Sequence, residues 1–176
     1  MNKERGSKMK EGNISLILDR YSDIFSDFDP RPFSERALSD DFIQECKRAS
    51  SNKDYEFELS FIIPKKEKNI EHEMVIKKRL KNYFQKHSNE KQKEVKSIKR
   101  EGFIWFLVGA LVMFGATFLY DLEGFFFKFL MIISEPAGWF MFWEGLGKVF
   151  LDAKEKKPDA DFYEKMANAK ISFSSY

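Results

Sequence analysis

Apolar positions in this chain alternate in some stretches, recur at helical spacing in others, and run together unbroken in two. Each pattern predicts a different element. Tyr55, Phe57, Leu59 and Phe61 alternate with Glu56, Glu58 and Ser60, a period of two that predicts a strand stopped by Pro64. Ile14, Leu16 and Leu18 repeat the pattern more weakly. Ile70, Met74, Leu80, Tyr83 and Phe84 recur at helical spacing and predict a helix lying over the strand's apolar face. Between Gln85 and Ser97 that pattern fades to Val95 alone, as in a solvated continuation of the same helix. Then Phe103–Tyr120 runs for 18 residues with no charge. As a helix this run is about 27 Å long, close to the ~30 Å of a bilayer's hydrocarbon core. A second aromatic-rich run, Phe125–Trp143, follows after the turn Asp121–Gly124. In lipid each run must satisfy its own backbone, so both are expected to be helices.

Shorter signals fill in the remainder. Pro30 and Pro32 bar a regular helix around SDIFSDFDPRPFSERAL. Ser39 sits as an N-cap before Asp40 and Asp41, and Lys47 and Arg48 close the helix of about 40–49 whose one face carries Phe42, Ile43, Cys46 and Ala49. After Trp143 the stripe Leu146, Val149, Phe150 and Ala153 extends the second span, positioned to pack on Val95 and Ile98, until Pro158 is expected to break it. A helix over Asp159–Ala167 and a strand over Lys170–Tyr176 complete the chain, and the natural partner of that strand is Tyr55–Ile63. The predicted architecture is a membrane α-helical hairpin of two transmembrane helices inserted in a small α+β cytosolic domain. Its parts are a disordered tail (1–12), a leader with a loop and short helix (13–54), and an α+β module (55–84 with 159–176). A helical stalk (85–102 and 144–157) joins these to the hairpin (103–143).

Composition changes this picture in one respect. The mean hydropathy of -0.47 describes a soluble chain, but the apolar residues are concentrated in one third of it. Thirty basic and 28 acidic residues nearly cancel, so only local charge is informative. Ten Lys or Arg residues lie between Lys77 and Arg100, and Lys148, Lys154, Lys156 and Lys157 follow the second span, whereas the turn Asp121–Gly124 has no basic residue. The positive-inside rule therefore places both termini in the cytoplasm, as in a multi-pass protein of the cell membrane. Trp105 and Trp143 would then anchor the two spans at the inner interface.

Several pieces of the chain, YSDIFSDFDPRPFSERALSDDF, FELSFIIPKKEKNIEHEMVIKKRLKNYF, GWFMFWEGL and FYEKMANAKISF, resemble those of an uncharacterised family of small prokaryotic two-span membrane proteins. The family is more basic after the second tryptophan, where this chain has Glu144. The resemblance implies fold and membrane location and no activity.

Candidate chemistry is sparse. Glu135 would sit near the bilayer midplane, where a charged carboxylate costs several kcal/mol or is neutralised. The adjacent Pro136 frees the carbonyl of Ile132. Three readings follow: a neutral Glu135 bonded to a freed carbonyl or to a neighbouring subunit, an ion or proton path through an oligomer, or a shifted register with Ser134 as a cap. Lys128 lies one heptad before Glu135 and is positioned to snorkel. Ser134 and Gly138, with Gly145 one heptad further, are small residues suited to close helix packing, within the hairpin or between copies. The segment Lys77–Arg100 suits anionic lipid, while its interleaved Glu90 and Glu94 argue against nucleic acid. His72 and His87, about 22 Å apart along one helix, cannot share a metal. Asp23, Asp27 and Asp29 lack the EF-hand spacing, and a pairing of Asp29 with Arg31 or Arg36 is expected instead. Cys46, the single cysteine, excludes an internal disulfide and is expected to be inert. No cofactor, metal or catalytic set is expected. The anticipated role is a non-enzymatic interaction or scaffold module in the bilayer, with a homo-oligomer or another membrane protein as partner. The alternative is a small oligomeric channel or proton conduit using Glu135.

Overall fold

The computed structural model describes residues 14–51 and 57–176. The expected tail at 1–12 and the start of the second strand at Tyr55 and Glu56 lie outside the described residues. The chain divides into two compact units, Met1–Asn89 with Asp161–Tyr176 and Glu90–Ala160.

The first unit is built on a three-stranded parallel sheet, β1 (Ile14–Ile17), β2 (Glu58–Ile63) and β3 (Lys170–Ser175), in the order β1-β2-β3. Leu59 lies opposite Ile14 on one side and Ile171 on the other. The expected partnership between the terminal strand and the alternating strand is present, and it is parallel. Parallel neighbours require a long crossover. The first crossover carries α1 (Asp40–Ser50); the second carries α2 (Ile70–Leu119), α3 (Phe125–Gly147) and α4 (Ala153–Asn168). The leader is not separate from the module, since β1 is one edge of the same sheet.

The two-residue period of β2 has a direct structural counterpart. Phe57, Leu59, Phe61 and Ile63 are buried, while Glu58, Ser60 and Ile62 are only half-buried. On the covered side lie Phe42 and Cys46 of α1, Ile76, Leu80 and Phe84 of α2, and Phe162 and Met166 of α4. The expected face of α2 needs correction. Ile70 and Met74 are 68% and 61% exposed, because the run Ile76, Leu80, Phe84 fixes the buried face. At ~100° per residue, Met74 points to the opposite side from Ile76. Ser39 does precede α1 in extended conformation, with the two acidic residues in its first turn and the two basic ones in its last, but its side chain makes no capping hydrogen bond.

Side chains fix the loop between β1 and α1. Asp29 accepts from the Arg31 guanidinium at 2.7 Å and from the Ala37 amide at 2.7 Å. These bonds, that to Arg31 foremost, hold its carboxyl well below the usual carboxylate range. The Tyr21 hydroxyl donates to Glu73 (3.2 Å) and accepts from the Asn69 amide (3.0 Å), securing the start of α2. Cys46 is fully buried, and burial pushes its thiol up to about 12, as an inert core residue requires.

The second unit is a helical hairpin. The later part of α2 runs to Leu119, and the chain turns at Gly124, whose φ of +127° suits glycine alone, before α3 returns. A single π turn, Lys148–Asp152, follows α3 and leads into α4. Pro158 does not break the helix as expected: it lies inside α4. Both Pro158 and Lys154, whose carbonyl loses its partner, are on the exposed side, where water can satisfy that carbonyl.

Candidate functional site: the helical hairpin

The hairpin is held by small residues. On α2, Gly102, Gly109 and Ala116 recur every seven residues and are buried; on α3, Gly138 and Gly145 do the same. A seven-residue repeat keeps one stripe of each helix facing the other, and the backbones approach to where a β-carbon has no room. A methyl group at Gly109 would collide with the Phe142 amide nitrogen and lie 2.6 Å from the Gly138 carbonyl oxygen. One at Gly145 would strike the Phe106 amide nitrogen and lie 2.5 Å from the Gly102 carbonyl oxygen. Phe106 and Phe142 flank the seam with ring centroids 4.6 Å apart.

The π turn shifts this stripe by one residue. Gly138 and Gly145 are seven apart, yet the next buried position is Ala153, eight further on, followed by Ala160 after seven more. One inserted residue accounts for the eight. It also explains why Phe150 lies on the outside and not in the stripe that its spacing predicts.

Of the residues singled out from sequence, Gly138 and Gly145 are in the seam and Ser134 is half-buried beside it. Glu135 and Pro136 are exposed on the flank of the hairpin, and Lys128 is exposed one heptad earlier. Glu135 borders a shallow cleft of about 340 Å³ with Met113, Thr117, Tyr120, Asp121 and Met131. Its carboxyl makes no hydrogen bond or ion pair among the described residues, with Lys128 or with the Ile132 carbonyl. Thr117 donates to its own helix, at the Phe114 carbonyl. Trp105 is half-buried, while Trp143 is exposed and meets Trp139 edge to face at 5.7 Å. The half of the seam on α2 was missed. Its signal was available: Gly102, Gly109 and Ala116 share the heptad spacing of Gly138 and Gly145.

Charge along the hairpin's polar end is uneven. Lys91 pairs with Glu94 at 2.9 Å, which raises the lysine's proton affinity, and Lys148 pairs with Glu101 at 3.4 Å. Lys93, Lys96, Ser97 and Arg100 lie on another face, spaced i, i+3, i+4, i+7, and line a shallow cleft of about 340 Å³. None of these four has a partner among the described residues.

In the first unit His72 meets Tyr21 and Phe33 edge-on, and His87 stacks on Tyr83 at 4.1 Å and Tyr163 at 5.4 Å. Both are aromatic packing elements here. Burial pushes the Tyr83 hydroxyl up to about 12. Among the described residues no group of three or more His, Cys, Asp or Glu is placed to hold a metal ion. Compared with protein-family models, curated proteins and solved structures, the chain matches none.

Proposed function

We propose that the chain is a membrane-anchored interaction module: the hairpin crosses the bilayer, and the sheet-bearing unit meets its partner in the cytoplasm. The observation that carries this reading is the inversion of the hairpin. Its small residues are inside and its large apolar ones outside. Only 17% of the most apolar window of α2 is buried, and 6% of the corresponding window after the turn. The core helix of a soluble protein is mostly covered; here Leu111, Phe114, Phe118, Phe126, Ile132 and Phe140 all project outward. An apolar surface of this extent is unfavourable in water at ~25 cal/mol per Å², and lipid removes that cost. Close packing of glycines is also the way helices associate where lipid and side chains are equally apolar.

Carbonate extraction of native membranes, with tags at three positions, tests the reading. The protein is expected to stay in the membrane pellet. Tags after Lys68 and after Tyr176 should report cytoplasm, and one in Asp121–Gly124 should be reached from outside. Release by carbonate, or a cytoplasmic turn, refutes it.

A second reading, an oligomeric proton or cation conduit, draws on one observation. Glu135 is exposed and unpaired about halfway along α3, where a carboxylate facing lipid is unfavourable. A polar path between copies would relieve that. Ion flux into liposomes carrying the purified protein separates the two readings.

A further inference from the structure

We propose that the Lys93, Lys96, Ser97 and Arg100 face of α2 is a binding site for the phosphate of an anionic phospholipid headgroup in the cytoplasmic leaflet. The site rests on the hairpin spanning a bilayer. Four observations converge on it. The residues occupy successive turns of one continuous helix and border a common cleft of about 340 Å³. Glu94 is engaged by Lys91 and Glu101 by Lys148, and Lys93, Lys96 and Arg100 make no ion pair among the described residues. The Ser97 hydroxyl stands among those cations as a neutral donor suited to a phosphate oxygen. Finally, the face sits at the correct depth. Arg100 is three residues before Phe103, where the uncharged run begins, or about 4.5 Å along the helix axis. The headgroup zone is roughly 5–8 Å thick on each side of the hydrocarbon core. Arg100 therefore lies within that zone. Lys96 and Lys93, one and two turns further out, reach it along flexible stems.

This narrows the broad basic segment to one face. Lys91 and Lys148 are also cations but are paired with Glu94 and Glu101 within the protein. A lipid phosphate is favoured over a soluble one because the cleft adjoins the span, where anionic lipid is concentrated and tethered beside it.

The test uses the full-length protein in phosphatidylcholine vesicles containing a trace of spin-labelled phosphatidylglycerol or spin-labelled phosphatidylcholine. Electron spin resonance measures how strongly each associates with the protein. Wild type should prefer phosphatidylglycerol by about fivefold or more, the worth of a single basic residue near an anionic surface. The variant K93Q/K96Q/R100Q should lose the preference, while K65Q/K78Q/K81Q, which removes equal charge elsewhere, should keep it. The charge-conserving K93R/K96R/R100K should also keep it, which distinguishes a lost site from a damaged fold. Equal loss in K65Q/K78Q/K81Q would overturn the proposal, as would a wild type without preference. Displacement of the labelled lipid by millimolar inorganic phosphate would overturn lipid as the source. A protein that inserts normally but shows no headgroup preference refutes this site alone. A protein released by carbonate refutes the membrane reading and the site together.

Discussion

Single atoms decide the hairpin's geometry, and glycines that look alike in sequence differ sharply in what they tolerate. Gly109 and Gly145 face backbone atoms of the opposite helix, which cannot rotate aside; around Gly115 nothing lies within 4 Å. Gly109→Ala and Gly145→Ala should each destabilise the hairpin by about 1–3 kcal/mol, the usual penalty of overpacking. Gly115→Ala should be neutral or stabilising by roughly 0.5–1 kcal/mol, since alanine restricts the unfolded chain and favours the helix. Denaturant unfolding in detergent, followed by the fluorescence of Trp105, Trp139 and Trp143, checks the contrast; equal effects at all three sites would exclude the seam. Glu135 offers a second test at this scale. On the interaction-module reading, Glu135→Gln should leave abundance, assembly and liposome permeability unchanged. Glu135→Lys should lower abundance relative to Glu135→Gln, by the equivalent of up to about 2.5–3.5 kcal/mol, if the site faces hydrocarbon, because a lysine cannot be neutralised there as readily as a carboxyl. A proton or cation leak present in wild type and abolished in Glu135→Gln would instead establish the conduit.

At the scale of elements, β3 is the most exposed to a single change. It pairs with β2 along its whole length, from Glu58 opposite Lys170 to Ile63 opposite Ser175, and Phe173 packs 5.1 Å from Phe61. Deleting Ala169–Tyr176 should leave β2 as an open edge and produce aggregation or rapid degradation. Phe173→Asp should mimic the deletion. A truncated chain as protease-resistant as the full one in pulse-chase would disprove the dependence. How legible each element was follows from how local its cause is. The alternation in β2 and the uncharged run in α2 are written in neighbouring residues, so both elements were readable. The pairing direction of β3 depends on a crossover of more than a hundred residues, and no local pattern encodes it. The phase of α2 was misread because Ile70 and Met74 are apolar yet precede the run that is buried. The fate of Pro158 turned on whether Lys154 faces solvent, which only the folded helix determines. The π turn had no signal apart from the stripe it displaces. In the candidate site, the Gly138–Gly145 half was visible. The Gly102–Gly109–Ala116 half lay in the same heptad pattern but among residues that read simply as hydrophobic.

For the whole molecule, the sheet encloses the hairpin in sequence: β2, which ends at Ile63, and β3, which begins at Lys170, flank every residue of both apolar runs. Pairing one strand before the hairpin with one after it makes the sheet-bearing unit dependent on both sides of the hairpin, and it explains why Ile171 and Phe173 pack against the core. The same feature sets an order of events in biosynthesis. When Ile63 is added to the growing chain, the first residue of β3, Lys170, is still 107 residues from being made. At ~5–20 residues per second that gap lasts roughly 5–20 s. During it, Leu59, Phe61 and Ile63 have no third strand beside them, while both apolar runs are being synthesised. The sheet therefore closes last, once both apolar runs have been made, and completion of β3 marks a chain whose hairpin has been synthesised in full.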